Sequence, residues 1–355
     1  MARPRVEIYQ AFEGFESNRD RLESAGASVV MPAEPWMQAA NRRERRELEL
    51  DPSTVVAAGI ANLSDRITAR TFDSAPELRM VAKFTVGYDN VDVDAATERG
   101  ILVVHSPVEA NWSGVAEGVM AMSLALLKKL RERDRQVKSG QWRDPALMGR
   151  HVGARVSDGF PGLTFGIVGL GRIGARVADL LRPWGVPILA CDPYADESRF
   201  GLHHATPATL EQVLRESDVL TLHCNLTPET RGLIGEAQLA LMKPTAILIN
   251  SARGPIVDID ALHRALSQGK LAAAALDVLP VEPVDPQHPI LGLGDKVLLS
   301  PHMIAGNVNS GLYSAAGASV ERAIFAALRG EVPRNVVNPR ALPKWLERFE
   351  GRRLI

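Results

Sequence analysis

The sequence has little cysteine, no excess of charge of either sign and no long apolar run. Its 355 residues include two cysteines, Cys191 and Cys224, without metal-ligand spacing, which argues against a disulfide framework or a metal site. The 41 basic and 42 acidic residues give a net charge of −1, so no global field attracts nucleic acid or an anionic membrane. The longest apolar run near a predicted helix, residues 118–127, is too short to span a bilayer. We therefore expect small-molecule ligands, with no nucleic acid and no membrane as partner.

The length and the order of the apolar segments indicate two α/β units. The N-terminus lacks the apolar segment of a signal peptide, and the scarcity of cysteine fits a reducing compartment, so we expect a cytoplasmic protein. Short apolar runs alternate with helix-like segments before residue 105 and again after residue 163, which is typical of parallel sheets. A mixed-sign run at residues 41–50 predicts a solvated surface helix.

The most informative motif is G-x-G-x-x-G, formed by Gly169, Gly171 and Gly174 where an apolar strand turns into a helix. In such a turn the first glycine permits a sharp bend, the second brings backbone amides close to a pyrophosphate, and the third lets the helix pack on the strand. The N-terminus of the following helix presents free N–H groups to the phosphates. The motif and its flanks predict a dinucleotide site.

Asp192 ends the next predicted strand, 18 residues after Gly174. A carboxylate at this position accepts hydrogen bonds from the adenosine ribose hydroxyls and repels a 2′-phosphate. We therefore predict NAD (NADH), rather than its phosphorylated form, as the cofactor.

Three ionisable residues, Arg253, Glu282 and His302, follow three successive predicted strands, at the sheet edge where open α/β folds bind ligands. Hydride transfer between a nicotinamide ring and a carbonyl needs a proton source, a cation for the substrate's anionic group and a group that tunes the acid. His302 suits the acid/base role because its ordinary pKa of about 6.5 lies near working pH. Glu282 can fix one tautomer of His302 and raise its pKa, and Arg253 can bind an α-keto carboxylate bidentately.

An ordered series of motifs resembles the D-isomer-specific 2-hydroxyacid dehydrogenase family. The motifs are VGYDN at residues 86–90, VAE at 115–117, the glycine loop at 166–174, LTPET at 226–230, residues 250–258, LDV at 276–278 and SPH at 300–302. The resemblance implies Arg253, Glu282 and His302 as catalytic residues, with the backbone amides of Val86 and Gly87 and the side chain of Arg253 binding the substrate. Around the cofactor, beside the three glycines and Asp192, it implies Arg172, Ile173, Cys224, Thr230, Ser251 and Asp277. We also expect His223, which ends a predicted strand, and Ala252 at the cofactor site.

The same resemblance implies a fold in which a Rossmann-type doubly wound parallel sheet is inserted into a second, flavodoxin-like α/β domain. We expect a discontinuous substrate domain at residues 1–112 and 307–355 and an NAD-binding domain at residues 113–306. The crossover helices would begin near Ser113 and Asn307. Members of this family form homodimers through the nucleotide domain, so a homodimer is expected here.

The leading interpretation is an NAD-dependent oxidoreductase that interconverts a small 2-keto acid and its D-2-hydroxy acid. Two alternatives stay open, an NAD(H)-sensing corepressor-like interaction protein and a dehydrogenase of an unusual anion such as phosphite. The chain departs from the family pattern at His105, where asparagine is common, at Trp112 near the first crossover, and at Asn225, where proline is frequent. The sequence does not determine which side chain the 2-keto acid carries.

Overall fold

The chain consists of two compact units. The computed structural model describes residues 3–34, 36–42, 44, 46–60, 65–306 and 311–355. The outer unit comprises Met1–Asn111 and Val308–Ile355, and the inserted unit comprises Trp112–Asn307. The helix expected near Ser113 begins four residues earlier, at Glu109. The crossover expected near Asn307 lies outside the described residues.

The strands of the described residues form the framework of both units. In chain order they are β1 (Arg5–Ile8), β2 (Ser28–Val30), β3 (Arg46–Glu47), β4 (Thr54–Gly59), β5 (Asp65–Arg66), β6 (Met80–Lys83), β7 (Leu102–Val104), β8 (Phe165–Val168), β9 (Ile188–Cys191), β10 (Thr206–Pro207), β11 (Val219–Leu222), β12 (Ile247–Asn250), β13 (Ala273–Leu276) and β14 (Val297–Leu299). The first seven belong to the outer unit and the last seven to the inserted unit.

Helices separate most of these strands along the chain. The α-helices are α1 (Glu16–Ser24), α2 (Trp36–Ala40), α3 (Ala69–Ser74), α4 (Val93–Glu98), α5 (Glu109–Leu127), α6 (Leu130–Lys138), α7 (Arg172–Leu181), α8 (Glu197–Leu202), α9 (Leu210–Glu216), α10 (Glu236–Leu239), α11 (Ile259–Ser267), α12 (Leu312–Leu328) and α13 (Leu342–Phe349). Short 3-10 helices span Pro145–Leu147, Arg182–Trp184, Gly254–Ile256, Pro289–Lys296 and Pro339–Ala341. Among the described helices, none is long and apolar enough to cross a membrane.

The outer unit contains a five-stranded sheet in the order β2-β1-β4-β6-β7, with every neighbouring pair parallel. Counted along the chain, this is the 2-1-3-4-5 order of flavodoxin-like folds, as expected. All six residues of β4 are buried, because helices cover both faces of such a sheet. Helix α12 returns to this unit and packs Val320 and Ile324 into its core.

The inserted unit contains a seven-stranded parallel sheet in the order β10-β9-β8-β11-β12-β13-β14. From β8 the chain proceeds through β9 and β10 toward one edge, and from β11 it proceeds through β12 and β13 toward the other. This reversal creates a switch point at the carboxyl ends of β8 and β11, where doubly wound folds bind their ligands. The Rossmann-type fold predicted for this unit is confirmed.

The surface helix predicted for residues 41–50 is wrong. The described part of this run contains β3, which pairs with β5 in a two-stranded parallel ribbon. The backbone N–H of Leu48 extends the pairing by donating to the carbonyl of Arg66 at 2.9 Å. Pairing with a distant segment therefore overrides the helical propensity of the charged residues.

The close approach of α7 to β8 generates a stability prediction at Gly174. A Cβ on Gly174 would lie 2.1 Å from the carbonyl oxygen of Gly169 and 3.1 Å from Cγ2 of Ile167. Because backbone cannot move aside as a flexible side chain does, Gly174→Ala should lower the free energy of unfolding by about 1–3 kcal/mol. Denaturant unfolding of the apoprotein, followed by circular dichroism, measures this change.

Gly201→Ala is the matched control, since Gly201 lies in α8 and a Cβ there would meet nothing within 4 Å. Alanine should leave stability unchanged or raise it by up to about 1 kcal/mol, because it favours the helix over glycine. Equal unfolding midpoints for the two variants would contradict the packing argument.

Candidate active site

The glycine loop joins β8 to α7 at the switch point. Gly169 has a φ of +94°, and a Cβ there would lie 2.6 Å from the backbone nitrogen of Cys224, so the position requires glycine. A Cβ on Gly171, in contrast, would meet nothing within 4 Å, which leaves space over the first turn of α7. Gly171 offers no side-chain cap, so the amides at this end, from Arg172 and Ile173 onward, are available to an anion. The loop therefore has the form of a pyrophosphate site.

Two buried polar side-chain atoms at the neighbouring strand ends are available to a ligand. Nδ1 of His223, after β11, and Oγ of Ser251, after β12, have no hydrogen-bond partner among the described residues. Nε2 of His223 lies 2.9 Å from Oγ1 of Thr221, and burial lowers the pKa of His223 to about 3, so its ring is neutral. Because buried polar atoms are nearly always paired, polar groups of a bound molecule are expected to complete these two. Both atoms fit a dinucleotide bound at the loop.

Asp192 lies directly after β9 and is fixed beside the glycine loop. Its Oδ2 accepts a hydrogen bond from the backbone N–H of Leu170 at 2.8 Å, and its Oδ1 accepts one from that of Tyr194 at 3.0 Å. Each oxygen keeps a further lone pair for a ribose hydroxyl. The hydroxyl of Tyr194 donates to a second carboxylate, Glu229, at 2.9 Å. Two negative charges therefore lie on this side of the loop.

Other residues predicted around the cofactor lie on the loops after β11 and β12. Burial raises the pKa of Cys224 to about 11, so this residue is a neutral thiol. Thr230 donates through Oγ1 to the carbonyl of Asn225 at 2.6 Å and thereby shapes the loop after β11. Ala252 is buried beside Ser251, and its N–H donates to Oδ1 of Asn250 at 3.1 Å.

Glu282 and His302 form a hydrogen-bonded pair. Nδ1 of His302 lies 2.7 Å from Oε2 of Glu282, whose Oε1 accepts a hydrogen bond from the N–H of Leu279 at 2.9 Å. Burial acts to lower the pKa of His302, but the hydrogen bond and the charge of Glu282 outweigh it, so the pKa is raised. The His302 side chain is still 41% exposed, which leaves its ring accessible to a ligand. The pair therefore combines an imidazole whose pKa is raised with a ring that a ligand can reach.

Asp277 holds the backbone that carries His302. The N–H of His302 donates to the carbonyl of Asp277 at 2.8 Å, and that of Met303 donates to Oδ1 of Asp277 at 3.1 Å. His302 itself has a φ of +56°, a left-handed conformation that costs a non-glycine residue about 1 kcal/mol or more. The sequence indicated Asp277 only as a cofactor contact. An aspartate directly after the apolar strand β13 is the sequence signal for the structural role that was missed.

Arg253 follows β12. The next residue, Gly254, lets this loop approach the loop after β13, which carries Glu282. A Cβ on Gly254 would lie 2.0 Å from the carbonyl carbon of Leu279, so the loops after β12 and β13 touch at their backbones. Nη1 of Arg253 donates to the carbonyl of Ala252 at 2.7 Å. The charge of Arg253 acts to lower the pKa of His302, so the two groups interact electrostatically. The inserted unit thus brings Arg253, Glu282 and His302 together.

Val86 and Gly87 belong to the outer unit and form a turn after β6. In the part of the chain that the structure describes, no acceptor is found for the backbone N–H of either residue. The carbonyl of Val86 lies 2.9 Å from Nδ1 of His105, and that of Gly87 accepts a hydrogen bond from Oγ1 of Thr85 at 3.1 Å. Two adjacent amides with this arrangement can bind a carboxylate.

Comparison with known proteins identifies the family. A family model described as "D-isomer specific 2-hydroxyacid dehydrogenase, NAD binding domain" matches residues 120–304. A glyoxylate reductase from Thermofilum pendens is 35% identical over 346 residues, which cover 96% of each chain. A glyoxylate reductase from Aeropyrum pernix is 41% identical over 283 residues, covering 78% of this chain and 81% of that protein.

Solved structures agree with these relatives. D-lactate dehydrogenase from Aquifex aeolicus, solved with NAD and lactic acid, aligns with a TM-score of 0.77 and 26% identity over 94% of this chain and 98% of its own. The resemblance inferred from the motifs is therefore confirmed. The chain belongs to the D-isomer-specific 2-hydroxyacid dehydrogenases, a family of NAD-dependent oxidoreductases, and contains their NAD-binding domain at residues 120–304.

Proposed function

We propose that this protein interconverts a small 2-keto acid and its D-2-hydroxy acid, with His302 as the acid/base, Glu282 as its partner and Arg253 as the carboxylate-binding residue. The observation that carries the proposal is the 2.7 Å contact between Nδ1 of His302 and Glu282, together with the raised pKa of His302. Relatives named glyoxylate reductase, 35% to 41% identical to this chain, support glyoxylate as the first substrate to test.

The chain's own residues account for the proton movements. When bound, NADH supplies the hydride for the carbonyl carbon. Because the carboxylate of Glu282 only accepts hydrogen bonds, Nδ1 of His302 carries a hydrogen and Nε2 is the nitrogen that serves the substrate. In reduction, His302 donates the Nε2 proton to the carbonyl oxygen; in oxidation, Nε2 accepts the hydroxyl proton. Glu282 stabilises the imidazolium before the proton is donated.

Arg253 and the backbone amides of Val86 and Gly87 are proposed to bind the substrate carboxylate. The planar guanidinium of Arg253 can form two parallel hydrogen bonds to a carboxylate, which a lysine cannot do. Its positive charge also makes His302 a stronger acid, since it acts to lower the pKa of that residue. Arg253 therefore assists both binding and proton donation.

A homodimer formed through the inserted unit is part of the same proposal. Helix α6 has no buried residue, although Leu130 and Val137 lie in it and are each about half exposed. Trp142 and Met148 follow in the same segment and are 70% and 71% exposed. Apolar side chains that are this exposed on one segment favour an interface with another protein chain. The family resemblance makes a second copy of this chain the proposed partner.

A substrate panel tests the proposed activity. The wild-type protein is assayed by NADH absorbance with glyoxylate, pyruvate, hydroxypyruvate and longer 2-keto acids, and by NAD reduction with phosphite. We expect turnover of at least one keto acid, and a loss of about 100-fold or more in kcat/KM for His302→Asn, because general acid catalysis is removed. Arg253→Lys should chiefly raise KM, since the charge remains but the bidentate geometry is lost.

The matched control is His203→Asn, because His203 is also paired with a carboxylate, that of Asp179 at 3.0 Å, but has no proposed role. Its kinetics should equal those of the wild type. Turnover of phosphite alone would favour the unusual-anion alternative. NADH binding without turnover of any substrate would favour the sensing protein.

Glu282→Gln should move the pH profile of reduction toward acid. The raised pKa of His302 keeps the ring charged to higher pH, so reduction declines as the pH rises through that value. The glutamine keeps an oxygen for the N–H of Leu279 but turns an NH2 group toward Nδ1, which disfavours the imidazolium. The alkaline limb of log kcat/KM should shift by about one pH unit or more. An unshifted limb would show that Glu282 does not set the pKa of His302.

Asp192→Asn should relax the preference for NADH. Asparagine retains a side-chain oxygen as an acceptor for one of the two nearby amides but removes the charge that repels a 2′-phosphate. We expect the ratio of kcat/KM for NADPH to that for NADH to rise about tenfold or more, a change of about 1.4 kcal/mol. Asp192→Ala, which also removes the acceptors for Leu170 and Tyr194, should in addition weaken the binding of both cofactors. An unchanged ratio in both variants would refute the role of Asp192.

A further inference from the structure

The turn at Val86 and Gly87 leaves the regular pairing of the outer sheet. Strands β6 and β7 pair in register up to Ala82 and Val104, and the N–H of Leu102 donates to the carbonyl of Arg79. With the same register, the N–H of Ser106 would reach the carbonyl of Lys83. It donates instead to the carbonyl of Thr85 at 3.1 Å. The turn therefore bulges out of the sheet, and contacts other than the regular ladder must hold it.

His105 supplies one of these contacts. Its Nδ1 lies 2.9 Å from the carbonyl oxygen of Val86, and its ring meets that of Tyr88 edge to face at a centroid distance of 5.9 Å. A carbonyl only accepts hydrogen bonds, so Nδ1 must carry a hydrogen whether the ring is neutral or charged. His105 thus acts as a donor to the turn in both protonation states.

The hydrogen bonds to the carbonyls of Val86 and Thr85 also fix the directions of two backbone N–H groups. In a planar trans peptide the C=O of one residue and the N–H of the next point in opposite directions. The bond from His105 to the carbonyl of Val86 therefore turns the N–H of Gly87 away from His105. The bond from Ser106 to the carbonyl of Thr85 likewise turns the N–H of Val86 away from Ser106. Residues 105 and 106 thus direct both amides away from β7.

We propose that His105 is a positioning residue for the substrate, which orients the N–H of Gly87 to receive the substrate carboxylate while Ser106 orients that of Val86. The inference rests on the proposed function, because that function assigns these two amides to a 2-keto acid. In the present inference, His105 affects substrate affinity without touching the reacting atoms.

Three variants separate the donor of His105 from its bulk. His105→Phe keeps an aromatic ring against Tyr88 but removes the donor. His105→Asn places an amide NH2 group near the position of Nδ1 and so retains a donor. His151→Phe is the control, because His151 in the inserted unit also meets an aromatic ring, that of Phe160, edge on at 5.9 Å. Each variant is assayed for kcat and KM with the keto acid that the wild type reduces, and for the Ki of oxamate.

His105→Phe should raise KM and the Ki of oxamate about tenfold while kcat stays within about twofold, since a carboxylate contact made equally in ground and transition states affects binding alone. His105→Asn should stay within about threefold of the wild type, because one neutral hydrogen bond is retained. His151→Phe should not differ from the wild type. The Kd of NADH, measured by fluorescence, and the unfolding midpoint should be the same in all four proteins.

Unchanged KM and Ki in His105→Phe would overturn this inference and leave the proposed function intact. Equal increases in KM and Ki in His105→Phe and His105→Asn would also overturn the inference, because the donor would then make no difference. A parallel fall in kcat, NADH affinity and unfolding midpoint would overturn it as well, because His105 would then have only a general structural role. A wild-type protein that neither reduces a keto acid nor binds oxamate would overturn the proposed function and, with it, the role of His105.

Discussion

Asp277 is 3% exposed, and a buried polar side chain of this kind requires hydrogen-bond partners. Its donors are backbone N–H groups just beyond His302, and its own carbonyl accepts from His302. These hydrogen bonds to Asp277 hold the loop after β14, in which His302 adopts its left-handed conformation. From this position the ring reaches Glu282. The geometry of His302 thus depends on a buried carboxyl group that the proposed reaction does not itself use.

Glycine residues allow close backbone packing around the loop that carries His302. Gly254 contacts the backbone of Leu279, whose N–H in turn binds Glu282, so the positions of Arg253 and Glu282 are coupled through main-chain atoms. In α5, a Cβ on Gly118 would lie 2.0 Å from Cγ1 of Ile304, two residues beyond His302. Backbone contacts are less adaptable than contacts between flexible side chains. The relative positions of the three ionisable residues are therefore rigidly specified by the sheet and its glycines.

The sequence predicted those features that follow from local periodicity. Apolar runs located the strands, and the parallel topology required that residues after successive strands share one edge, which made Arg253, Glu282 and His302 the predicted catalytic residues. The contacts made by Asp277 and His105 could not be predicted, because each joins residues that are distant in sequence, Met303 and Val86 respectively. The helix predicted for residues 41–50 failed for the same reason, since pairing of β3 with β5 decided the structure.

The acidity of His302 results from opposing influences. Burial and Arg253 act to lower its pKa, whereas Glu282 and Asp277 act to raise it, and the sum is a raised value. In the proposed function a substrate carboxylate binds Arg253, which neutralises part of the charge that opposes protonation. Substrate binding therefore increases the protonated fraction of His302 when a proton is needed. Because the hydroxy acid product carries the same carboxylate, the full charge of Arg253 opposes protonation of His302 again only after the product has left.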